Sequence, residues 1–228
     1  MRKRMNQTRN SILKSILIAS CGLAAFGFGI YMTIQANIGA RSWDVFNIGL
    51  ASVLGLKYGT TSILVSVTIL IFDVLMKEKI GIGMLLDAFI AGKAIDLFNY
   101  LDLIPKQENP VMGVVLMIAG MTVMGFAQAV YMKTGLGCGP RDGMLVGLHR
   151  RLPKIPIGLI SMAVMLTVTT IGFFLGGPLG LGTVIGALFE GPLMQMAFRL
   201  SRFEPTAVEH QDLVTSLKII FGRTDETG

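Results

Sequence analysis

The chain has 228 residues, 52% of them apolar and only 15% charged, with 28 glycines and a mean hydropathy of +0.66. That balance excludes an ordinary soluble domain and points to a polytopic membrane protein. The net charge of +6 does not indicate nucleic acid, because the Lys and Arg residues punctuate apolar segments and form no basic face interleaved with aromatics.

From the N-terminus, Arg2, Lys3, Arg4 and Arg9 precede an apolar run that continues past Cys21 to Ala36. The box "IASC" at 18–21 resembles a lipoprotein cleavage site, but the run is long enough to span a bilayer, so a retained helix is expected. Hydrophobic runs then predict six spans, at about 13–36, 60–76, 83–101, 111–133, 155–176 and 182–199. None alternates with period 2 as a barrel strand would, so the fold class is all-α, an integral membrane helical bundle. Two segments, about 45–55 ("VFNIGLASVLG") and 143–152 ("MLVGLHRRLP"), are too short to cross and read as half-helices or re-entrant elements. The domains are then a basic N-terminus (1–12), a first membrane repeat (13–101), a second (111–200) and a polar tail (201–228) with one amphipathic helix over about 206–221. Cys21 and Cys138 have no metal-site spacing and are expected to be reduced.

With the N-terminus in the cytoplasm, six crossings place sixteen cations inside and only Arg41, Lys57 and Lys106 outside, leaving Lys93 within the membrane. That asymmetry satisfies the positive-inside rule and places the C-terminus in the cytoplasm as well.

The chain also repeats itself. A shift of 98 residues brings Gly22, Gly27, Phe28, Gly39, Asp44, Gly49 and Leu50 onto Gly120, Gly125, Phe126, Gly137, Asp142, Gly147 and Leu148. With one residue inserted, "GIGMLLDAFIAG" at 81–92 falls on "GLGTVIGALFEG" at 180–191, and Gly59 falls on Gly158. Each half holds three spans, an odd number, so the halves are expected to lie inverted in the membrane, a construction common among secondary transporters.

The segments "NIGARSWDVFNIGL", "GLGCGPRDGMLVGL", "KIGIGMLLDAFIAGKAIDL" and "LGGPLGLGTVIGALFEGP" resemble the YitT/YczE-like family of bacterial multi-pass membrane proteins over roughly residues 15–200. The resemblance implies a location in the bacterial cell membrane and little chemistry. The family's pattern has a proline before "WD" in the first motif, where this chain has Ser42; the second motif keeps Pro140.

Several residues are candidates for a site. Gly39, Gly137, Gly139 and Pro140 mark two backbone breaks, and Asp44 and Asp142 precede the two short segments. Each aspartate reads as a helix N-cap, or else as part of a polar site at a half-helix N-terminus with Arg41 and Arg141 nearby. The repeated glycines read first as close-packing devices between helices. Asp87, Lys93 and Asp96 in the third span and Glu190 in the sixth are ionisable at membrane depth and should face a partner or a cavity, with a Lys93–Glu190 pair expected if those spans meet. Asp73, beside Lys77, reads as an interfacial residue.

No catalytic constellation is present: the only histidines are His149 and His210, and there is no HExxH, GxSxG or Walker loop. The expected function is therefore that of a transporter or channel for a small solute, with the lipid bilayer, a small solute or coupling ion as partners and no cofactor, metal or nucleic acid. A homo-oligomer is compatible with this reading. The other reading is a non-transporting scaffold that supports a cytoplasmic enzyme or export system through its tail.

Overall fold

The structure, a computed structural model, describes residues 9–78 and 80–203. These residues form eight helices and no strand: α1 (Arg9–Gln35), α2 (Ser42–Leu54), α3 (Tyr58–Leu75), α4 (Ile82–Leu101), α5 (Pro110–Met132), α6 (Pro140–Arg151), α7 (Ile157–Phe174) and α8 (Leu181–Leu200). The helix expected over 206–221 lies outside the described residues. Helices α1, α3, α5, α7 and α8 are each long and apolar enough to cross a membrane. Helix α4 has the length, at 20 residues, but carries Asp87, Lys93 and Asp96. In lipid a helix satisfies its own backbone groups, which is why a sequence this apolar takes no other form.

Local signals set the helix ends. Asn109 caps α5 by accepting from the Val111 N–H at 2.9 Å, with Pro110 in the first position. Helix α2 stops at Gly55, whose φ of +66° ends the helix in the left-handed conformation. Both short helices begin three residues earlier than the hydropathy pattern predicts. In α6 the cause is Pro140, which is preset for the first helical position. As a result neither Asp44 nor Asp142 is an N-cap. Arg41 and Gly139 occupy those positions without a side-chain cap, and both aspartates sit inside the first turn.

The bundle is built on an antiparallel seam between α1 and α5. A methyl group on Gly22 would meet Tyr131 and Ala127, one on Gly29 would lie 2.8 Å from the Gly120 carbonyl, and one on Gly120 the same distance from the Gly29 carbonyl. The missing side chains let the two backbones approach closely. Helix α4 runs beside α1 and α8 beside α5, while each half-helix crosses to the opposite half, α2 packing on α7 and α6 on α3. The end at which α1 finishes, called here the upper end, also holds the start of α8: the Gly182 N–H donates to Ile38 O at 2.7 Å. At the lower end the start of α4 meets the break after α5 in the same way, Gly83 N–H donating to Leu136 O at 2.8 Å. Asp73 is not interfacial. It is fully buried, with a carboxylate oxygen facing Gly143 of α6.

Candidate functional site

Both half-helices begin inside the bundle. From the upper end the chain passes Gly39, where φ is +99° and a methyl group would lie 2.5 Å from the Gly180 N. Only glycine fits that close approach in that conformation. The chain then dips inward, so that Arg41 lies over Gly186, further along α8. From the lower end it passes Gly137 against Gly81, then Gly139 against Asp87, before α6 turns back toward Met76 and Glu78. The first turns of α2 and α6 meet at depth, where the Arg141 guanidinium carbon sits 4.6 Å from the centroid of the Trp43 ring. A guanidinium over an indole face is a favourable cation–π contact.

A cavity of about 390 Å³ lies around this meeting point, lined by Arg41, Asp87, Arg141, Asp142 and Glu190 among others. Arg41 is buried and engages two carboxylates. Its Nε donates to Asp44 Oδ2 at 2.7 Å and its Nη1 to Glu190 Oε1 at 3.0 Å. Tyr58 Oη donates to the other Asp44 oxygen at 2.6 Å. Asp44, 1% exposed, thus spends both oxygens on buried donors, the arrangement that makes an intramembrane ion pair tolerable. Asp87 and Asp142 differ: neither forms a salt bridge among the described residues, and a point beside Gly139 lies 2.7 Å from an oxygen of one and 3.8 Å from an oxygen of the other.

A second cavity, of about 530 Å³, opens at the upper end between Lys57, Asp96, Asn99 and Lys106. Tyr58 lines it, so the chain Tyr58–Asp44–Arg41–Glu190 is the wall between the two spaces. On the other side the central cavity faces the gap between α7 and α8, where Ser161, Met165, Ala187 and Gly191 line it and the Glu190 side chain is 40% exposed.

Six of the eight ionisable candidates, Arg41, Asp44, Asp87, Arg141, Asp142 and Glu190, therefore come together. Two do not. Lys93 is exposed on α4 and makes no salt bridge among the described residues, so the expected Lys93–Glu190 pair is replaced by Arg41–Glu190. The physical reason is placement: Arg41 dips from the break to the level of Glu190, whereas the α4 face that carries Lys93 turns away from the cavity. Asp96 accepts from the Gly59 N–H at 2.8 Å and from Thr60 Oγ1 at 3.2 Å, binding α4 to α3. Arg41 and Arg141, assigned to surface loops in the charge count, both lie against the internal cavity. Trp43 and Tyr58 escape a sequence reading, although the shift of 98 residues superimposes Trp43 on Arg141. The two residues that this shift superimposes are also two that touch in the structure.

A bundle of this composition with charges walled into its interior defines an integral helical membrane protein. Within that class, the chain belongs to the family of unknown function DUF6198, whose model matches residues 13–199. It is 29% identical over 182 residues to an uncharacterized protein of Haemophilus influenzae, covering 80% of this chain and 82% of that one. It is 28% identical over 178 residues to the uncharacterized membrane protein YczE of Bacillus subtilis, covering 77% and 81%. The uncharacterized protein YyaS of Bacillus subtilis is also 28% identical, covering 77% and 88%. No solved structure matches the chain.

Proposed function

We propose that the protein is a transporter of a small polar solute, built from two inverted halves in the bacterial cell membrane with both termini in the cytoplasm. The observation that carries this reading is the charged cavity of about 390 Å³ between the first turns of two half-helices. A static bundle gains nothing from such a space, because each charge kept at membrane depth costs several kcal/mol unless a partner or ligand compensates it. Half-helices that begin at the midplane and leave a polar cavity between them are a recurring transporter construction. The paired bonds Gly182 N–H to Ile38 O and Gly83 N–H to Leu136 O, at positions 98 and 99 residues apart, support the inverted duplication. The lower end is the cytoplasmic one on this reading, since Lys77, Lys133, Arg150, Arg151 and Lys154 lie there.

The solute must offer a donor to Asp87 and Asp142 and fit beside Arg141 and Trp43. Trp43 is the single tryptophan of the chain, so its emission reports on the cavity directly. Purified protein titrated with a panel of small amines, amino acids and organic acids should show a saturable emission change for one class, and reconstituted vesicles should accumulate that class. The double variant Asp87→Asn with Asp142→Asn should lose both signals while keeping the wild-type melting profile. Wild-type vesicles that take up none of the panel above empty vesicles, or variant vesicles that match wild type, would overturn the proposal.

A further inference from the structure

The two halves pair their helices alike in every respect but one. Helices α3 and α4 are zipped together: a methyl group on Gly59 would strike the Gly92 carbonyl, one on Gly92 would lie 2.7 Å from the Gly59 carbonyl, and Asp96 takes the Gly59 N–H at 2.8 Å. Ninety-nine residues later stand Gly158, Gly191 and Gln195. Gly158 and Gly191 have open space around them, with nothing within 4 Å of a methyl group built on either.

We infer that α7 and α8 close on each other in a second state of the protein, Gly158 meeting Gly191, and that α3 and α4 separate when they do. Glycine is a weaker helix former than alanine, so glycines at these two matching positions of neighbouring helices point to a close approach, and this structure supplies none. Gln195 supplies the acceptor. Gly158 lies in the first turn of α7, and its N–H makes no backbone hydrogen bond beyond the helix, as Gly59 would also lack one without Asp96. Helix α8 has a place to bend: Pro192 follows Gly191 inside the helix and removes the hydrogen bond to Leu188. The first half has Lys93 at the corresponding position and no such break. In the state seen here the upper zip is shut and the wall Tyr58–Asp44–Arg41 closes the cavity from above, while the gap between α7 and α8 leaves it accessible from the side and below. The second state reverses this, and the solute site stays fixed between the two.

The inference rests on the inverted duplication proposed above, and its test needs no solute. In a background with Cys21→Ser and Cys138→Ser, cysteines are placed in two pairs: Thr60→Cys with Asp96→Cys across the observed zip, and Leu159→Cys with Gln195→Cys across the gap. Membranes carrying each pair alone, and membranes carrying all four cysteines, are oxidised, and intrachain disulfides are identified by peptide mass spectrometry. The first pair should form readily, which also reports a folded chain. The second should form more slowly within single chains, and no molecule should carry both. Adding Gly191→Ala, whose methyl group meets nothing within 4 Å in the observed state, should suppress the second disulfide about tenfold without changing the first, because overpacking penalises only the closed gap. Absence of the second disulfide in membranes that carry only that pair, although the first forms in its own, both disulfides in one four-cysteine chain, or a second disulfide found only between copies would each overturn the inference. Mutually exclusive disulfides in a protein that takes up no solute would instead refute the transport reading and leave the two states standing.

Discussion

Arg41 is the residue on which the interior charge balance turns. It joins Asp44, itself 1% exposed and three residues away, to Glu190, 149 positions further along the chain than Arg41. Removing one member of a buried pair leaves the other charge uncompensated, so Arg41→Ala should lower stability by about 3–5 kcal/mol. Arg41→Lys should recover part of the loss, because an ammonium offers no planar fork to reach both carboxylates. Thermal melting of detergent-purified protein checks the order wild type, lysine, alanine. Arg141 gives a different expectation. Its contact with Trp43 is worth about 0.5–2 kcal/mol, so Arg141→Gln should shift tryptophan emission while costing little in melting temperature. The sequence marks these arginines because they flank the two Gly-rich breaks, although its charge count assigns both to surface loops. It hides their partners Trp43 and Tyr58, since nothing local to "RSWD" says which elements will fold against it, and it misleads over Lys93, whose long stem lets the ammonium lie on an exposed face away from the cavity.

The half-helices show how far pattern alone reaches. Their existence is legible from length, since 13 and 12 residues cannot cross a bilayer, and their starts are misread because an aspartate before an apolar run looks like a cap. Their destinations are illegible, because hydropathy does not say that α2 packs on α7 and α6 on α3. Glycine spacing carries that information only once the structure is known. Gly172 of α7 touches α2 so closely that a methyl group would lie 2.5 Å from both the N and the Cα of Phe46. Backbone cannot give way as a side-chain tip can, so Gly172→Ala should cost about 1–3 kcal/mol and loosen α2. Gly158→Ala, also on α7, meets open space and should be neutral or stabilising by up to about 1 kcal/mol. Melting curves of the two variants, with limited proteolysis at the exposed α2–α3 turn, separate a specific interhelix contact from a general intolerance of α7 to substitution.

At the scale of the whole molecule, the two halves run antiparallel through the α1–α5 seam, and each lends its half-helix to the other. On the proposed inverted duplication, the loops of the two halves that lie about 98 positions apart face opposite sides of the membrane. Lys57, in the turn before α3, and Lys154, in the turn before α7, are such a pair, and both turns are exposed. Single cysteines at Lys57 and Glu108 should react with an impermeant maleimide added to intact cells, whereas cysteines at Lys154 and Lys77 should react only after permeabilisation. The comparison is internal, because corresponding segments of one chain are read against each other under one reagent. Labelling of Lys57→Cys and Lys154→Cys from the same side would refute the inversion itself. Complete reversal of the pattern would keep the inversion and turn the molecule over, placing the zipped α3–α4 end in the cytoplasm and exchanging which compartment the central cavity faces in the observed state.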